Sequence, residues 1–398
     1  MNKQGILDNY DQFILSTYTR VPVIFVKGKG STLIDITGKK YLDFFPGWGV
    51  NNVGHCHPKV MAAVRDQIGK LIHIPNNLYH PHQAKLAREI IRRAYPGKVF
   101  FCNSGAEAAE AAIKFARAYG KGERFEIVTM KNSFHGRTMG ALAATGQRKY
   151  QDGFAPLPPG FVTIPFNDMD ALKAALTPKT IAVMLELIQG EGGINVADPA
   201  YLRELRAICD EKDILLIFDE VQTGIGRTGE MFGFQHYGIK PDLMTLAKAL
   251  GGGLPIGVLV VKESISGTLK PGMHASTFGG GPVICKAALG VFKAIEADGM
   301  LKNTKKMGEY LRGKLLALKE KFDCITDVRG IGLMLGVQMK MEGKAVVEEC
   351  LNQGLIINCT QGNILRIMPA LNVTKKQIDK AVKIIEAALE TTIKGSKP

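Results

Sequence analysis

The sequence predicts an α/β protein with a large, mostly parallel-sheet domain and a smaller α+β domain built from both chain ends. Three observations carry this. Residues 95–290 alternate short apolar runs with helical patterns, as a parallel sheet buried beneath helices requires. The flanks differ: an alternating, glycine-punctuated stretch precedes this region and a lysine-rich helical stretch follows it. At 398 residues the chain is also long for a single core. The expected division is 1–60 and 298–398 for the two parts of the small domain, with 61–297 as the large one.

Along the chain, Val21 to Leu42 alternates as a small antiparallel meander, interrupted by Gly28, Gly30 and Gly38. Buried strands, read as parallel, follow at Lys98–Cys102, Phe125–Thr129, Ile181–Leu185, Ile214–Phe218 and Ile256–Val261. Between them the pattern predicts helices at Ala106–Tyr119, Pro199–Glu211 and Pro282–Ala297. After about Asp298 come a long lysine-rich helix, strand candidates at Gly332–Val337 and Leu355–Asn358, and a closing helix at Lys375–Leu389.

Composition excludes several classes. With 46% hydrophobic and 22% charged residues the chain is globular rather than disordered. No apolar run reaches the ~18 residues of a membrane span, and Met1 to Asp8 lacks the apolar core of a signal peptide. Seven cysteines (Cys56, Cys102, Cys209, Cys285, Cys324, Cys350 and Cys359) stand singly without a CxxC pair, which points to reduced thiols and a cytoplasmic protein. The net charge of +14 raises nucleic acid as a partner, but no basic run is interleaved with aromatics. We read a solvated, lysine-rich surface, with neither nucleic acid nor membrane as partner.

The most informative chemistry lies where Ile214 to Phe218 runs into Asp219-Glu220 and Lys248 follows one βα unit later. Ligands of open α/β sheets gather at the C-terminal ends of strands. A carboxylate facing a pyridinium nitrogen and a lysine able to form a Schiff base are what pyridoxal phosphate (PLP) requires. Asn103-Ser104-Gly105-Ala106-Glu107 opens a helix directly after a strand, with capping-box spacing between Ser104 and Glu107. Free amides there suit a phosphate, although most capping boxes only start helices. Ser133 to Thr138 places Phe134, His135 and Arg137 in one turn, suited to stacking on a ring and gripping a carboxylate, or simply to a surface loop. Gln189 to Gly193 follows a buried strand and sets Glu191 at the ligand-bearing edge.

Two rival readings fail. His55-Cys56-His57 and His80-Pro81-His82 lack metal-ligand spacing, so they read as loop histidines and no metal is expected. An apolar run ending in Asp219-Glu220 also has the form of a Walker B strand, but GxxxxGK[ST] is absent. Gly28-Lys29-Gly30-Ser31-Thr32 has the wrong spacing and leads into a strand-like segment.

In this order the segments resemble the class III, fold-type I PLP-dependent aminotransferases, and among them the acetylornithine aminotransferases, nearly end to end. The resemblance rests on Tyr41 to Phe44, Gly54 to Pro58, Asn103 to Glu107, Ser133 to Thr138, Thr145 to Gln147, Gly153 to Leu157, Phe218 to Gly229, Lys248 and Ser276 to Gly280. Asp219-Glu220-Val221-Gln222 together with Lys248 is its most specific part.

The resemblance implies roles. Lys248 would carry the cofactor and serve as general base and acid, and Asp219 would pair with the pyridine nitrogen. Val221 and Phe134 would flank the ring, Gln222 would face its phenolic oxygen, and His135 would join the cofactor contacts. Ser104, Gly105 and Ala106 would hold the phosphate, and Thr277 would reach that of the neighbouring subunit, which implies a homodimer with shared active sites. Arg137, Arg366, Glu191 and Ser276 would handle substrates, Glu191 masking Arg366 while an ω-amine is bound. The implied reaction moves the δ-amino group of N2-acetylornithine to 2-oxoglutarate, giving N-acetylglutamate semialdehyde and glutamate, in arginine biosynthesis. Ala109, Leu187 and Gly281 depart from the usual pattern without removing a catalytic group. Trp48 stands where acetylornithine enzymes are often aliphatic and ornithine enzymes tend to carry tyrosine. The alternatives are another ω-aminotransferase (acting on ornithine, 4-aminobutyrate, succinylornithine or succinyldiaminopimelate) and a non-catalytic basic binding protein. The latter predicts loss of Lys248 or Asp219, and both are present.

Overall fold

A seven-stranded sheet lies at the centre of the computed structural model, which describes residues 2–395. Its order is Gly97–Cys102, Gly257–Lys262, Leu243–Leu246, Leu215–Asp219, Thr180–Glu186, Glu126–Met130, Phe161–Ile164. From Leu243–Leu246 outward to Phe161–Ile164 all pairings are parallel. Gly257–Lys262 runs antiparallel to both its neighbours. The expectation of a parallel strand at Ile256–Val261 is therefore corrected. An apolar run encodes burial but not direction, and the connection 247–256 is shorter than the roughly dozen residues a parallel crossover needs. Every residue of Thr180–Glu186 and Leu215–Asp219 is buried, as sheets covered on both faces require.

Helices Pro199–Glu211 and Pro282–Ala297 fall where the pattern predicts them, each with proline in its first turn. The Asp198 side chain caps the former by accepting from the Ala200 and Tyr201 amides at 2.7 and 2.9 Å. Gly105–Tyr119 buries a face of small residues, Ala108, Ala109, Ala111, Ala112 and Ala116, so its axis lies close on the sheet. Asparagine at position 109 would meet a fully apolar contact, which accounts for the alanine there.

Both chain ends meet in the smaller α+β part. The meander Phe25–Lys29, Thr32–Asp35, Lys40–Asp43 is extended by Leu355–Ile356, parallel to Lys40–Asp43. A second, antiparallel sheet of Ile325–Ile331, Met334–Met339, Ile364–Ile367 and Asn358–Thr360 packs beneath Met300–Lys321. The single strand expected at Leu355–Asn358 is thus two, because the chain crosses from one sheet to the other at Ile357. The closing helix runs Lys375–Gly395. Among the described residues no helix is long and apolar enough to cross a membrane.

Candidate active site

Three neighbouring strands end in polar side chains at one edge: Glu186, Asp219 and Thr245 are register partners across the sheet. Asp219 Oδ1 accepts from Thr245 Oγ1 at 3.0 Å and the Val221 amide at 3.1 Å. Its Oδ2 lies 2.7 Å from His135 Nδ1, and both residues are buried. His135 is oriented in turn by its own amide, which donates to Thr145 Oγ1 at 3.0 Å. Burial alone would lower the His135 pKa, but the hydrogen bond and charge of Asp219, with Glu186 beyond, raise it.

The adjacent acid serves another end. Glu220 points into the core and accepts from Thr223 Oγ1 and the Gly233 and Phe234 amides at 2.6–2.8 Å, fixing the turn behind the site. Glu186 accepts from the Phe134 and Gly190 amides at 2.8 and 3.0 Å. Burial, with the Asp219 charge adding to it, pushes its carboxyl up to about 7.

Lys248 begins the short turn Lys248–Gly251 just beyond the strand Leu243–Leu246, at φ +41°. A non-glycine residue is strained there, and such strain persists where surrounding structure enforces it. Its side chain lines a cavity of about 520 Å³ together with Asp219, Phe134, Val221, Gln222 and Glu191. Burial lowers the Lys248 pKa against the opposing pull of Glu191, which favours a neutral amine.

The first turn of Gly105–Tyr119 forms the cavity's anionic end. Ser104 caps it by accepting from the Glu107 amide at 3.1 Å, and Glu107 reaches back to the Asn103 amide at 2.5 Å. The Gly105 and Ala106 amides lack intrahelical acceptors and carry the positive end of the helix dipole. A Cβ on Gly105 would come within 3.0 Å of Val221 Cγ1, so glycine leaves the space a ligand needs. Two buried polar atoms, His135 Nε2 and Gln222 Oε1, have no protein partner. Unpaired buried groups of this kind call for a polar ligand.

Opposite lies Arg366, fully buried on Ile364–Ile367. Its Nη1 donates to Glu191 Oε1 at 2.7 Å and Gly190 O at 2.9 Å. Nη2 and Nε donate to Asn358 Oδ1 at 2.8 and 3.2 Å, and the Phe45 ring lies beneath the guanidinium. Burial pushes the Glu191 carboxyl up, but the charge and hydrogen bond of Arg366, with Lys248 and Gln222 adding to them, hold it below the ordinary carboxylate value. Arg137 is exposed at the cavity rim, its guanidinium 4.1 Å from the Tyr150 ring centroid, with no carboxylate partner among the described residues.

Of the residues singled out from sequence, the structure brings Ser104, Gly105, Ala106, Phe134, His135, Arg137, Glu191, Asp219, Val221, Gln222 and Lys248 to one cavity, with Arg366 reaching it through Glu191. Ser276 stays outside that lining, accepting from Asn103 Nδ2 at 3.1 Å, and Thr277 is exposed on the same loop. The loop histidines have protein partners: His55 lies 2.7 Å from Asp43, His57 lies 3.0 Å from Asp298, and His80 lies 2.8 Å from Gly280 O. Sequence reading missed Glu186, Thr245 and Asn358. Glu186 follows the apolar run Ile181–Leu185, but Leu187 and Ile188 continue that run past it and mask the signal.

The family model for class-III aminotransferases matches residues 14–389. The acetylornithine aminotransferase of Methanocaldococcus jannaschii is 51% identical over 393 residues, covering 97% of this chain and 98% of that one. A crystal structure of acetylornithine aminotransferase from Elizabethkingia anophelis superposes with a TM-score of 0.87 at 32% identity, covering 98% of this chain and all of that one. The ornithine aminotransferase of Toxoplasma gondii, whose active site holds PLP at partial occupancy, superposes with a TM-score of 0.95 at 30% identity, covering 100% of this chain and 96% of that one.

Proposed function

This chain belongs to the class-III aminotransferases, and on that premise we propose that it moves the δ-amino group of N2-acetylornithine to 2-oxoglutarate with PLP as cofactor. The products are N-acetylglutamate semialdehyde and glutamate, a step of arginine biosynthesis. The observation that carries this reading is the buried Glu191–Arg366 ion pair on the wall that Lys248 shares.

The cavity fits the cofactor. The phosphate would lie on the Gly105 and Ala106 amides behind Ser104, the ring between Phe134 and Val221, its nitrogen toward Asp219 and its phenolic oxygen toward Gln222. When bound, PLP supplies an electron sink for the electrons left at the reacting substrate carbon.

The chain's own residues do the rest. Asp219, braced by His135 and Thr245, would present its carboxyl group to the facing nitrogen. Lys248 Nζ, favoured in its neutral form by burial, takes a proton from the substrate carbon that bears the reacting nitrogen and returns it on the far side of that nitrogen. Arg137 binds the carboxylate distal to the reacting amine. With the ω-amine donor, Glu191 covers Arg366, so no guanidinium is left buried without a partner. When glutamate or 2-oxoglutarate enters, its α-carboxylate takes the place of Glu191 and the fork of Arg366 receives it.

We place the protein in the cytoplasm as a homodimer, Thr277 reaching the partner's phosphate site and Ser276 lying beside the substrate path. The exposed apolar Tyr79, Leu78 and Phe278 near this loop support a covered subunit face. A second reading, ornithine as donor, is favoured by the TM-score of 0.95 and by exposed Trp48, which packs edge-on against Phe45 beneath Arg366. The visible spectrum of purified protein tests both. A cofactor band that bleaches with N-acetylornithine and recovers with 2-oxoglutarate supports the first reading. Bleaching by ornithine or glutamate but not N-acetylornithine sinks the acyl substrate.

A further inference from the structure

The loop 190–193 that carries Glu191 has every main-chain carbonyl held by a side chain. Gly190 O accepts from Arg366 Nη1 at 2.9 Å. Glu191 O accepts from Thr360 Oγ1 at 2.6 Å and Gln361 Nε2 at 2.7 Å. Gly192 O accepts from Asn195 Nδ2 at 3.0 Å, and Gly193 O from Arg329 Nη2 and Nε at 2.7 and 3.0 Å. On the donor side, the Gly190 amide is fixed by Glu186 at 3.0 Å. The loop is also close-packed: a Cβ on Gly190 would overlap the Gln222 amide, and one on Gly193 would come within 2.6 Å of Ile364 Cδ1.

Gln361 stands out among these contacts. It adopts φ +53°, where glycine is favoured, and its Nε2 also reaches Gln147 Oε1 at 3.0 Å. One residue with a left-handed backbone thus ties the Glu191 main chain, through its side chain, to the segment beyond Arg137. Thr360 beside it is buried. Neither residue lines the cavity itself, yet both converge on the main-chain carbonyl of Glu191, whose side chain covers Arg366.

We propose that Thr360 and Gln361 are positioning residues that lock the Glu191 main chain, so that Arg366 is covered and uncovered by rotation of the Glu191 side chain alone. The inference rests on the Glu191 and Arg366 roles given under Proposed function. A locked main chain keeps the Glu191 carboxylate at high effective concentration beside Arg366, where it competes with the incoming α-carboxylate of glutamate. The lock therefore sets how strongly the site discriminates against glutamate in favour of the ω-amine donor. Releasing it has an unusual expected sign, since glutamate should bind better.

The test compares wild-type holoenzyme with the Thr360→Val/Gln361→Ala double variant and with Gln361→Ala alone, should the double variant fold poorly. The first readout is hydrogen–deuterium exchange over residues 188–194; the second is the KM of each half-reaction followed by absorbance. The lock predicts slow exchange in wild type at the bonded amides of Gly190 and Ile194, and faster exchange confined to this loop in the variants. It also predicts a glutamate KM lowered roughly three- to tenfold, the size expected for losing one or two net hydrogen bonds, with the N-acetylornithine KM unchanged. Rapid exchange of the wild-type loop, an unchanged glutamate KM, or a parallel rise of both KM values would overturn it. If wild type performs neither half-reaction the functional reading fails, while loop exchange still decides the lock.

Discussion

Glu186 and Asp219 are cross-strand partners at the end of the sheet, yet only Asp219 is bonded to a basic side chain. Glu186 holds two main-chain amides instead, and burial beside the Asp219 charge lifts its carboxyl to about 7. Two adjacent acids are thereby set apart, one bonded to His135 and the other poised to take a proton.

That separation has a measurable pH signature. A carboxyl raised from 4.5 to about 7 stabilises the fold fully below pH 4.5 and loses that contribution as pH rises through about 7. In cofactor-free protein, Glu186→Gln should flatten the unfolding free energy across this window, removing a fall on the order of 3 kcal/mol. At low pH the variant should be less stable by about 1 kcal/mol, because glutamine accepts from only one of the two amides. Denaturant titrations at pH 4.5, 6 and 8 measure this. An unchanged slope with pH would show that folding leaves the Glu186 titration where it is in the unfolded chain.

Asp219→Asn tests the other partner. Without the carboxylate, burial dominates and the His135 titration, followed by NMR, should move down. A histidine raised in the folded state stabilises below its unfolded value near 6.5 and loses that effect as pH rises through its folded value. The variant should therefore lose more stability at pH 5 than at pH 8. Equal losses at both values would count against the His135–Asp219 charge pair.

Lys248→Ala should lower transamination by roughly 10²- to 10⁴-fold or more, the range for a positioned acid–base group. Its thermal midpoint should hold or rise, because the change removes a poorly solvated amine. A coupled glutamate assay and calorimetry read the two effects. Residual activity near wild type would exclude Lys248 as the proton carrier.

Arg366→Lys separates the half-reactions. Lysine cannot span Asn358, Gly190 and a substrate carboxylate with one planar fork. The 2-oxoglutarate KM should rise about 10- to 100-fold, consistent with lost charge-assisted hydrogen bonds. The N-acetylornithine half-reaction should change far less. Equal losses in both would place Arg366 in the framework rather than at the substrate.

What the sequence disclosed follows from how local each signal is. Asp219 was legible because an apolar strand ending in acids is a continuous segment, and Gly105–Tyr119 because its cap and first turn are neighbours in sequence. Glu186 was hidden because Leu187 and Ile188 prolong the apolar run past it. Asn358 and Gln361 carry no local signature at all. Their meaning comes from partners 8 and 170 residues away, the first brought close by the antiparallel sheet and the second by packing of the 190–193 loop against it. The direction of Gly257–Lys262 was likewise unreadable, since pairing geometry lies in connection length rather than in the apolar pattern.

The left-handed backbone at Lys248 sets heat resistance and turnover against each other at one residue. Glycine would relax that turn by about 1–2 kcal/mol, whereas the reaction demands an amine. A screen that rewards thermal tolerance without monitoring product would enrich lysine-free survivors at position 248, sturdier and inert. Stabilising this scaffold therefore requires holding that codon fixed, because a local gain at position 248 would remove the amine the chemistry cannot lose.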